Sequence, residues 1–223
     1  MSKPKLAVLN TVTFLADRFK GMIAARYPEL DSFQMLDESL LQDLIQHGPS
    51  DTITARVVGH VRLAEAAGAT AVLFTCSSTS PAVDVARHEV DIPIIKIDDA
   101  MAERAVLSGK RIGLLCTTPS TRGPSSDLIR AHAERLGRSI TVVADVQQNA
   151  YSALMAGDRD GHDELVSAAA GVLAQHSDVI VLAQASLAHL QARLTRDLGL
   201  PVLASPDLCI AALGSQIGLG PQA

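Results

Sequence analysis

An apolar run, Ala71–Phe74, ends in Thr75-Cys76-Ser77-Ser78-Thr79-Ser80-Pro81 and so delivers one thiol into a row of hydroxyls. A thiol of reference pKa about 8.5 becomes a base or nucleophile where a helix N-terminus or local donors lower that value. Ser77, Ser78 and Thr79, with their backbone N–H groups, offer donors to a carboxylate. They would equally hold the enediolate left when a proton or CO₂ departs from an α-carbon. A well-placed donor is worth roughly 3–4 kcal/mol to such an anion. Cys76 is therefore the candidate catalytic group. The same hydroxyls also suit the N-cap of a helix opening at Pro81, and capping is compatible with ligand holding.

Other small, polar, uncharged residues stand where further strand-like runs end. They are Asn10-Thr11, Cys116-Thr117-Thr118 with Thr121 beyond, and Gln184-Ala185-Ser186. All are candidate substrate-binding residues, and Cys116 is a candidate second thiol whose bland role is packing at a strand end. Asp98 and Asp99 suit a helix cap, with Asp98 also placed to meet a substrate ammonium; Asp37 and Glu38 suit a helix start. Cys209 lies in an apolar helical stretch and reads as packing. His60, His162 and His176 read as solvated, and His189 lies too far past Gln184 to face the site. Three widely spaced cysteines give neither a disulfide framework nor zinc-ligand spacing. No glycine-rich phosphate loop, metal cluster or Ser-His-Asp arrangement is legible, so neither metal nor cofactor is expected.

The elements that must position these groups alternate. Strands are expected at 5–9, 32–36, 71–75, 92–97, 111–116, 140–144, 179–183 and 201–203. Helices are expected at 12–26, 51–67, 81–88, 99–108, 124–136, 161–176 and 186–198, several of them closed by a glycine. Such alternation predicts parallel sheets flanked by helices. The chain also repeats itself. KLAVLN matches RIGLLC, AVLFTC matches VIVLAQ, and DIPIIKID matches GLPVLASP, all at offsets of about 106–108 residues. The expected class is α/β, with two pseudo-symmetric Rossmann-like halves, 1–109 and 110–205, and a C-terminal helix in 206–223 packing back on the first. Ligands of parallel α/β sheets bind outside the carboxyl ends of the strands, so a site is expected in the cleft between the halves.

Composition excludes several partners. The 223 residues are 48% hydrophobic with formal net charge −5, and Lys3 and Lys5 are the nearest approach to a basic cluster. Aromatic residues make up 3% and tryptophan is absent, so base-stacking platforms are not expected. Neither nucleic acid nor membrane is an expected partner. No signal-like or membrane-spanning apolar run is present, which suits a reducing cytoplasm. A homo-oligomer is compatible with a symmetric enzyme, but no interface is legible.

Five segments together carry a resemblance: MLDESLLQDL (35–44), TCSST (75–79), KIDDAMAERAV (96–106), RIGLLCTTPST (111–121) and DVIVLAQASLAHL (178–190). In order and spacing the chain resembles the aspartate/glutamate racemase superfamily, which includes amino-acid and hydantoin racemases, maleate isomerase and arylmalonate decarboxylase. The resemblance implies two pseudo-symmetric α/β halves, a cofactor-independent reaction at the α-carbon of a small carboxylate or amino-acid derivative, and Cys76 as the catalytic cysteine. Racemases of that superfamily carry a second cysteine in the other half, where this chain has Gln184. A carboxamide supplies neither acid nor base, so decarboxylation, isomerisation or one-base proton exchange is expected ahead of two-base racemisation. The alternative is a carboxylate-binding protein that kept the cleft and lost catalysis.

Overall fold

The structure is a computed structural model and describes residues 4–219. Lys3 and the last four residues of the expected C-terminal segment lie outside the described residues. The chain divides into two units, one running to Ile97 and resuming at Pro206, the other Asp98–Ser205.

In the first unit the order is β1 (Lys5–Asn10), α1 (Thr13–Arg26), β2 (Asp31–Leu36), α2 (Glu38–His47), α3 (Asp51–Ala66), β3 (Ala71–Phe74), α4 (Ser80–Ala86) and β4 (Ile94–Lys96). The strands are parallel in the order β2-β1-β3-β4. Alternation along the strands buries Ala7, Leu9, Val72 and Phe74 against Leu40, Leu44, Ile53, Val57, Val61 and Val83 from α2, α3 and α4. Leu6, Val8 and Leu73 point to the opposite face and are equally buried. Strands buried on both faces explain the unbroken apolar runs of the sequence. After the second unit the chain returns as α10 (Ser205–Gln216), which is tied down by Tyr27. The Tyr27 hydroxyl donates to the Ile210 carbonyl at 2.8 Å and accepts the Gly214 N–H at 3.0 Å. It thus bridges two backbone groups one helical turn apart.

The second unit repeats this plan with α5 (Asp99–Ser108), β5 (Arg111–Cys116), α6 (Pro119–Arg135), β6 (Thr141–Val146), α7 (Gln148–Met155), α8 (Arg159–Ala174), β7 (Val179–Leu182), α9 (Gln191–Leu198) and β8 (Val202–Ala204). Its parallel order is β6-β5-β7-β8. Leu6 pairs with Ala71 as Ile112 pairs with Val179, so the offset read from sequence is also the offset of the strand register. Leu115, Ile180, Leu182, Val202 and Ala204 pack on Val166, Ala170 and Leu173 of α8 and on Leu190 and Leu194. Gly113 admits this packing: a Cβ there would lie 2.6 Å from Ile180 Cδ1 and 2.7 Å from Ser177 Oγ.

Three expectations are corrected. Helix α7 was not expected as an element, and of α2 only its acidic start at Asp37 and Glu38 was. The helix expected from Pro124 begins at Pro119, which takes the first-turn position that tolerates a missing N–H, while Pro124 sits inside. The contact division falls after Ile97, one helix before Gly109; α5 packs on α6 and Arg135 reaches Glu103. The segment after Gln184 opens as a 3₁₀ turn, Ala185–Leu190, before α9. Among the described residues, no helix is long and apolar enough to cross a membrane.

Candidate active site

Each sheet changes winding direction between its two central strands. The chain steps from β1 out to β2 and then crosses back to β3 on the other side of β1. The carboxyl ends of β1 and β3 flank that switch point, where parallel sheets hold their ligands. Asn10-Thr11 and Thr75-Cys76 occupy it in the first unit; Cys116-Thr117 and Ala183-Gln184 occupy the equivalent point in the second.

Cys76 follows β3 and opens a one-turn 3₁₀ segment, Ser77–Thr79. Its thiol is buried, and burial pushes its pKa up. The Thr11 hydroxyl, the backbone N–H groups of Thr79 and Ser78, and the Thr79 hydroxyl all reach the sulfur and act in the opposite sense. Burial prevails, so the resting group is a thiol already surrounded by the donors its thiolate would need. Neither Cys76 nor Thr79 makes a side-chain cap, and Thr79 Oγ1 donates back to the Cys76 carbonyl at 2.8 Å. Helix α4 spans only seven residues, so the tight turn and its amides, more than a long helix dipole, hold the sulfur's surroundings. Ser77, Ser78 and Thr79 are buried beside it.

Asn10 is brought to the switch point but its amide is consumed there. Nδ2 donates to Gln34 Oε1 at 2.9 Å, the Val8 carbonyl at 3.1 Å and the Met35 carbonyl at 3.3 Å. Oδ1 accepts from Thr75 Oγ1 at 2.9 Å. Asn10 therefore ties β2, β1 and β3 together at the ends that carry Thr11 and Cys76.

Cys116 takes the matching part in the second unit. Met35 faces Leu9 as Asp145 faces Leu115, and the Cys116 thiol donates to the Asp145 carbonyl at 3.8 Å. Burial and the nearby Asp145 charge push Cys116 up to about 12, against a smaller opposing effect of Arg122. This strand-end tie leaves Cys116 a fully buried thiol whose proton is held toward the Asp145 carbonyl.

Gln184 stands where Cys76 stands. Thr75 N–H donates to the Leu9 carbonyl and Ala183 N–H to the Leu115 carbonyl, and the next residue in each case opens a 3₁₀ turn. Gln184 Oε1 accepts from the Thr117 N–H at 2.5 Å and the Thr117 hydroxyl at 2.9 Å, and Nε2 donates to Thr118 Oγ1 at 3.3 Å. Thr118 and Thr121 hydroxyls lie 2.9 Å apart. Thr117 is the counterpart of Thr11, so one hydroxyl meets a sulfur and the other a carboxamide. Ala185 is buried, Ser186 is half-buried, and the Ser186 carbonyl faces the His189 ring. Asp98 is buried at the start of α5 but makes no side-chain cap. Cys209 is buried on α10, as expected.

Sequence reasoning missed two charged clusters. Asp37 caps α2 through the Ser39 N–H, while Arg56 and His60 of α3 both reach its carboxylate at 2.8 Å. Despite burial, these partners hold Asp37 well below the usual carboxylate range. In the second unit His162, Asp163 and His189 converge. His162 is buried and His60 half-buried, against the solvated reading of both. Only contacts between elements 19 to 26 residues apart reveal these groups.

Residues 9–213 match the family Asp/Glu/Hydantoin racemase. The chain belongs to that family. No curated protein sequence matches it. Among solved structures it is similar to a glutamate racemase from Bacillus anthracis, with TM-score 0.75, 16% identity, and 98% of this chain and 83% of that chain covered. An allantoin racemase from Klebsiella pneumoniae follows the fold with TM-score 0.67 at 17% identity, covering 97% and 89%. A sulfate-associated mutant of arylmalonate decarboxylase does so with TM-score 0.63 at 18% identity, covering 99% and 96%. These solved structures share the fold of two parallel four-stranded sheets flanked by helices.

Proposed function

We propose that this racemase-family chain catalyses a cofactor-independent proton transfer at the α-carbon of a small carboxylate or amino-acid derivative, with Cys76 as its one proton-carrying group. The observation that carries the reading is the pair of equivalent positions: a thiol ringed by donors after β3, a carboxamide locked by threonines after β7. Two-base racemisation needs a proton carrier for each face of the α-carbon. Gln184 carries none. Because burial keeps the Cys76 thiol protonated, its first act is to give a proton.

The favoured sequence begins when a substituted malonate-type substrate loses CO₂. The electron pair of the broken C–C bond then passes into an enediolate. The amides of Ser78 and Thr79 and the Thr11 hydroxyl, which gather at the Cys76 sulfur, are the donors nearest to that anion. The Cys76 S–H bond breaks, its proton bonds to the α-carbon, and the thiolate left is held by the same donors until solvent reprotonates it. Delivery from one sulfur gives one product enantiomer. Without CO₂ loss, one-base exchange requires the sulfur first to give its proton to solvent; the thiolate, held by the same donors, then takes the α-hydrogen and returns a solvent-derived one.

The test is NMR in D₂O on a panel of amino acids, hydantoins and substituted malonates. Deuterium at an α-carbon or CO₂ release is expected, and Cys76→Ala is expected to lower it about 10²-fold or more, the range of general acid–base catalysis. Exchange or decarboxylation undiminished in Cys76→Ala removes the role given to the thiol. Unchanged ligand binding with no turnover in the wild type would make the chain a carboxylate binder.

A further inference from the structure

The first turn of α8 and the 3₁₀ turn after Gln184 bring two imidazoles and one carboxylate together. His162 Nδ1 lies 2.7 Å from Asp163 Oδ1, and His189 Nε2 lies 2.9 and 3.0 Å from the two Asp163 oxygens. One ligand atom from each residue falls within 4.8 Å of the others.

The hydrogen-bond chemistry of this group points to a cation. The other ring nitrogen of His189, Nδ1, faces the Ser186 carbonyl at 2.9 Å. A carbonyl only accepts, so Nδ1 carries a hydrogen. In the neutral ring Nε2 is then a bare lone pair aimed at a carboxylate, which is repulsive unless a positive species lies between them. That species is either a proton or a metal ion. A backbone carbonyl holding the distal N–H of an imidazole is also the usual outer support of a metal-ligating histidine.

His162 gives a second, independent indication. Its Nε2 is buried and has no hydrogen-bond partner among the described residues. The ring is therefore not pinned to one tautomer from behind: moving its hydrogen from Nδ1 to Nε2 frees Nδ1 for a metal and creates no new orphan. Arg193 donates to the Asp163 backbone carbonyl and to Ser167 Oγ rather than to the carboxylate, which remains available to the two rings. His162 is buried and Asp163 mostly so, while the His189 side chain is 51% exposed, so one side opens to solvent.

We propose that His162 Nδ1, the Asp163 carboxylate and His189 Nε2 form a binding site for a divalent first-row transition ion of the zinc class. Two imidazoles and a carboxylate at tetrahedral geometry, with a fourth position open to water, form a known zinc donor set. Zinc bonds of about 2.0–2.1 Å separate tetrahedral ligands by roughly 3.3–3.5 Å, so each present contact must widen by about half an ångström. The exposed His189 turn is the part that moves. Bound there, the ion clamps the start of α8 to the turn that carries Gln184.

The experiment uses the full chain at neutral pH with Co²⁺ as a spectroscopic probe and Zn²⁺ as competitor. One equivalent of Co²⁺ is expected to bind with visible absorption of tetrahedral strength, to be displaced by Zn²⁺, and to survive in Cys76→Ala. Zn²⁺ is expected to raise the thermal midpoint. His189→Ala, at an exposed position, and Asp163→Asn are each expected to weaken binding at least 30-fold. Binding of equal strength in those two variants places the ion elsewhere and overturns the proposal. So does the absence of binding up to millimolar ion, or a ¹⁵N spectrum in which His189 stays doubly protonated and unmoved by Zn²⁺.

Discussion

Asn10 separates a ligand donor from a structural tie. Replacing it by alanine removes one acceptor and an amide shared among three acceptors, all at a residue with no exposed surface. Each such bond is worth about 0.5–1.5 kcal/mol net. The loss is partly offset, because Thr75 Oγ1 can still donate to the Leu9 carbonyl at 3.2 Å and the half-buried Gln34 can reach water. The expected cost of Asn10→Ala is therefore about 2–4 kcal/mol. At about 2–4 °C per kcal/mol for a chain of this size, that lowers the melting temperature by roughly 5–15 °C. The same change loosens the junction of β1 and β3, so Cys76 should react faster with iodoacetamide in the native state. Asn10→Asp should be at least as damaging, since it sets acceptors against acceptors. Urea unfolding followed by circular dichroism, with mass-spectrometric mapping of alkylation, measures both effects. A variant within about 0.5 kcal/mol of the wild type, with unaltered Cys76 reactivity but lost turnover, would refute the tie and return Asn10 to the role of substrate donor.

The remaining predictions concern acid stability, the second thiol and the core. Arg111, with its own and the Lys110 backbone N–H, lowers the Asp178 carboxyl from 3.8 to about 2; a depressed acid adds stability that is full above the unfolded value and is lost as pH falls through about 2. Stability of the wild type should therefore fall more steeply between pH 5 and pH 2 than that of Asp178→Asn, read as urea midpoints across that range. Cys116, raised to about 12 and fully buried, should stay unmodified by iodoacetamide at pH 8.5 in the folded protein, and Cys116→Ala should keep any α-carbon exchange activity. Gly113→Ala forces a methyl against Ile180 and Ser177 and should cost about 1–3 kcal/mol by overpacking, measured by thermal melting.

Much of the scaffold was legible because its signals are local or periodic. Parallel strands buried on both faces are unbroken apolar runs, so AVLF and VIVL mark themselves. The repeat was legible because the two units share a strand register, and that register also pairs Cys76 with Gln184. What escaped depends on neighbours far along the chain. Asn10 reads as a free amide until Gln34 and Met35 are placed beside it. Cys116 reads equally as a packed strand end or a second thiol from sequence, and only the Asp145 carbonyl shows what its hydrogen meets. His162 is a polar residue in a helical stretch, and nothing local says that it is buried against a carboxylate shared with His189. The hydroxyl row suits both a cap and a ligand by residue type, and only the structure shows Thr79 satisfying the preceding carbonyl.

The asymmetry between the units is chemical rather than architectural. Thr11 and Thr117 come from the same place in the two sheets, as do Cys76 and Gln184. In one unit the hydroxyl and neighbouring amides converge on a sulfur that can lose a proton. In the other, the hydroxyl and the Thr117 N–H are both spent on the oxygen of a side chain that cannot, while its amide is spent on Thr118. Gln184 thus occupies the donors around it: its oxygen takes the Thr117 N–H and hydroxyl, and its amide reaches Thr118. A carboxamide has neither an acidic nor a basic form near neutral pH, so on the function proposed above proton transfer rests with Cys76.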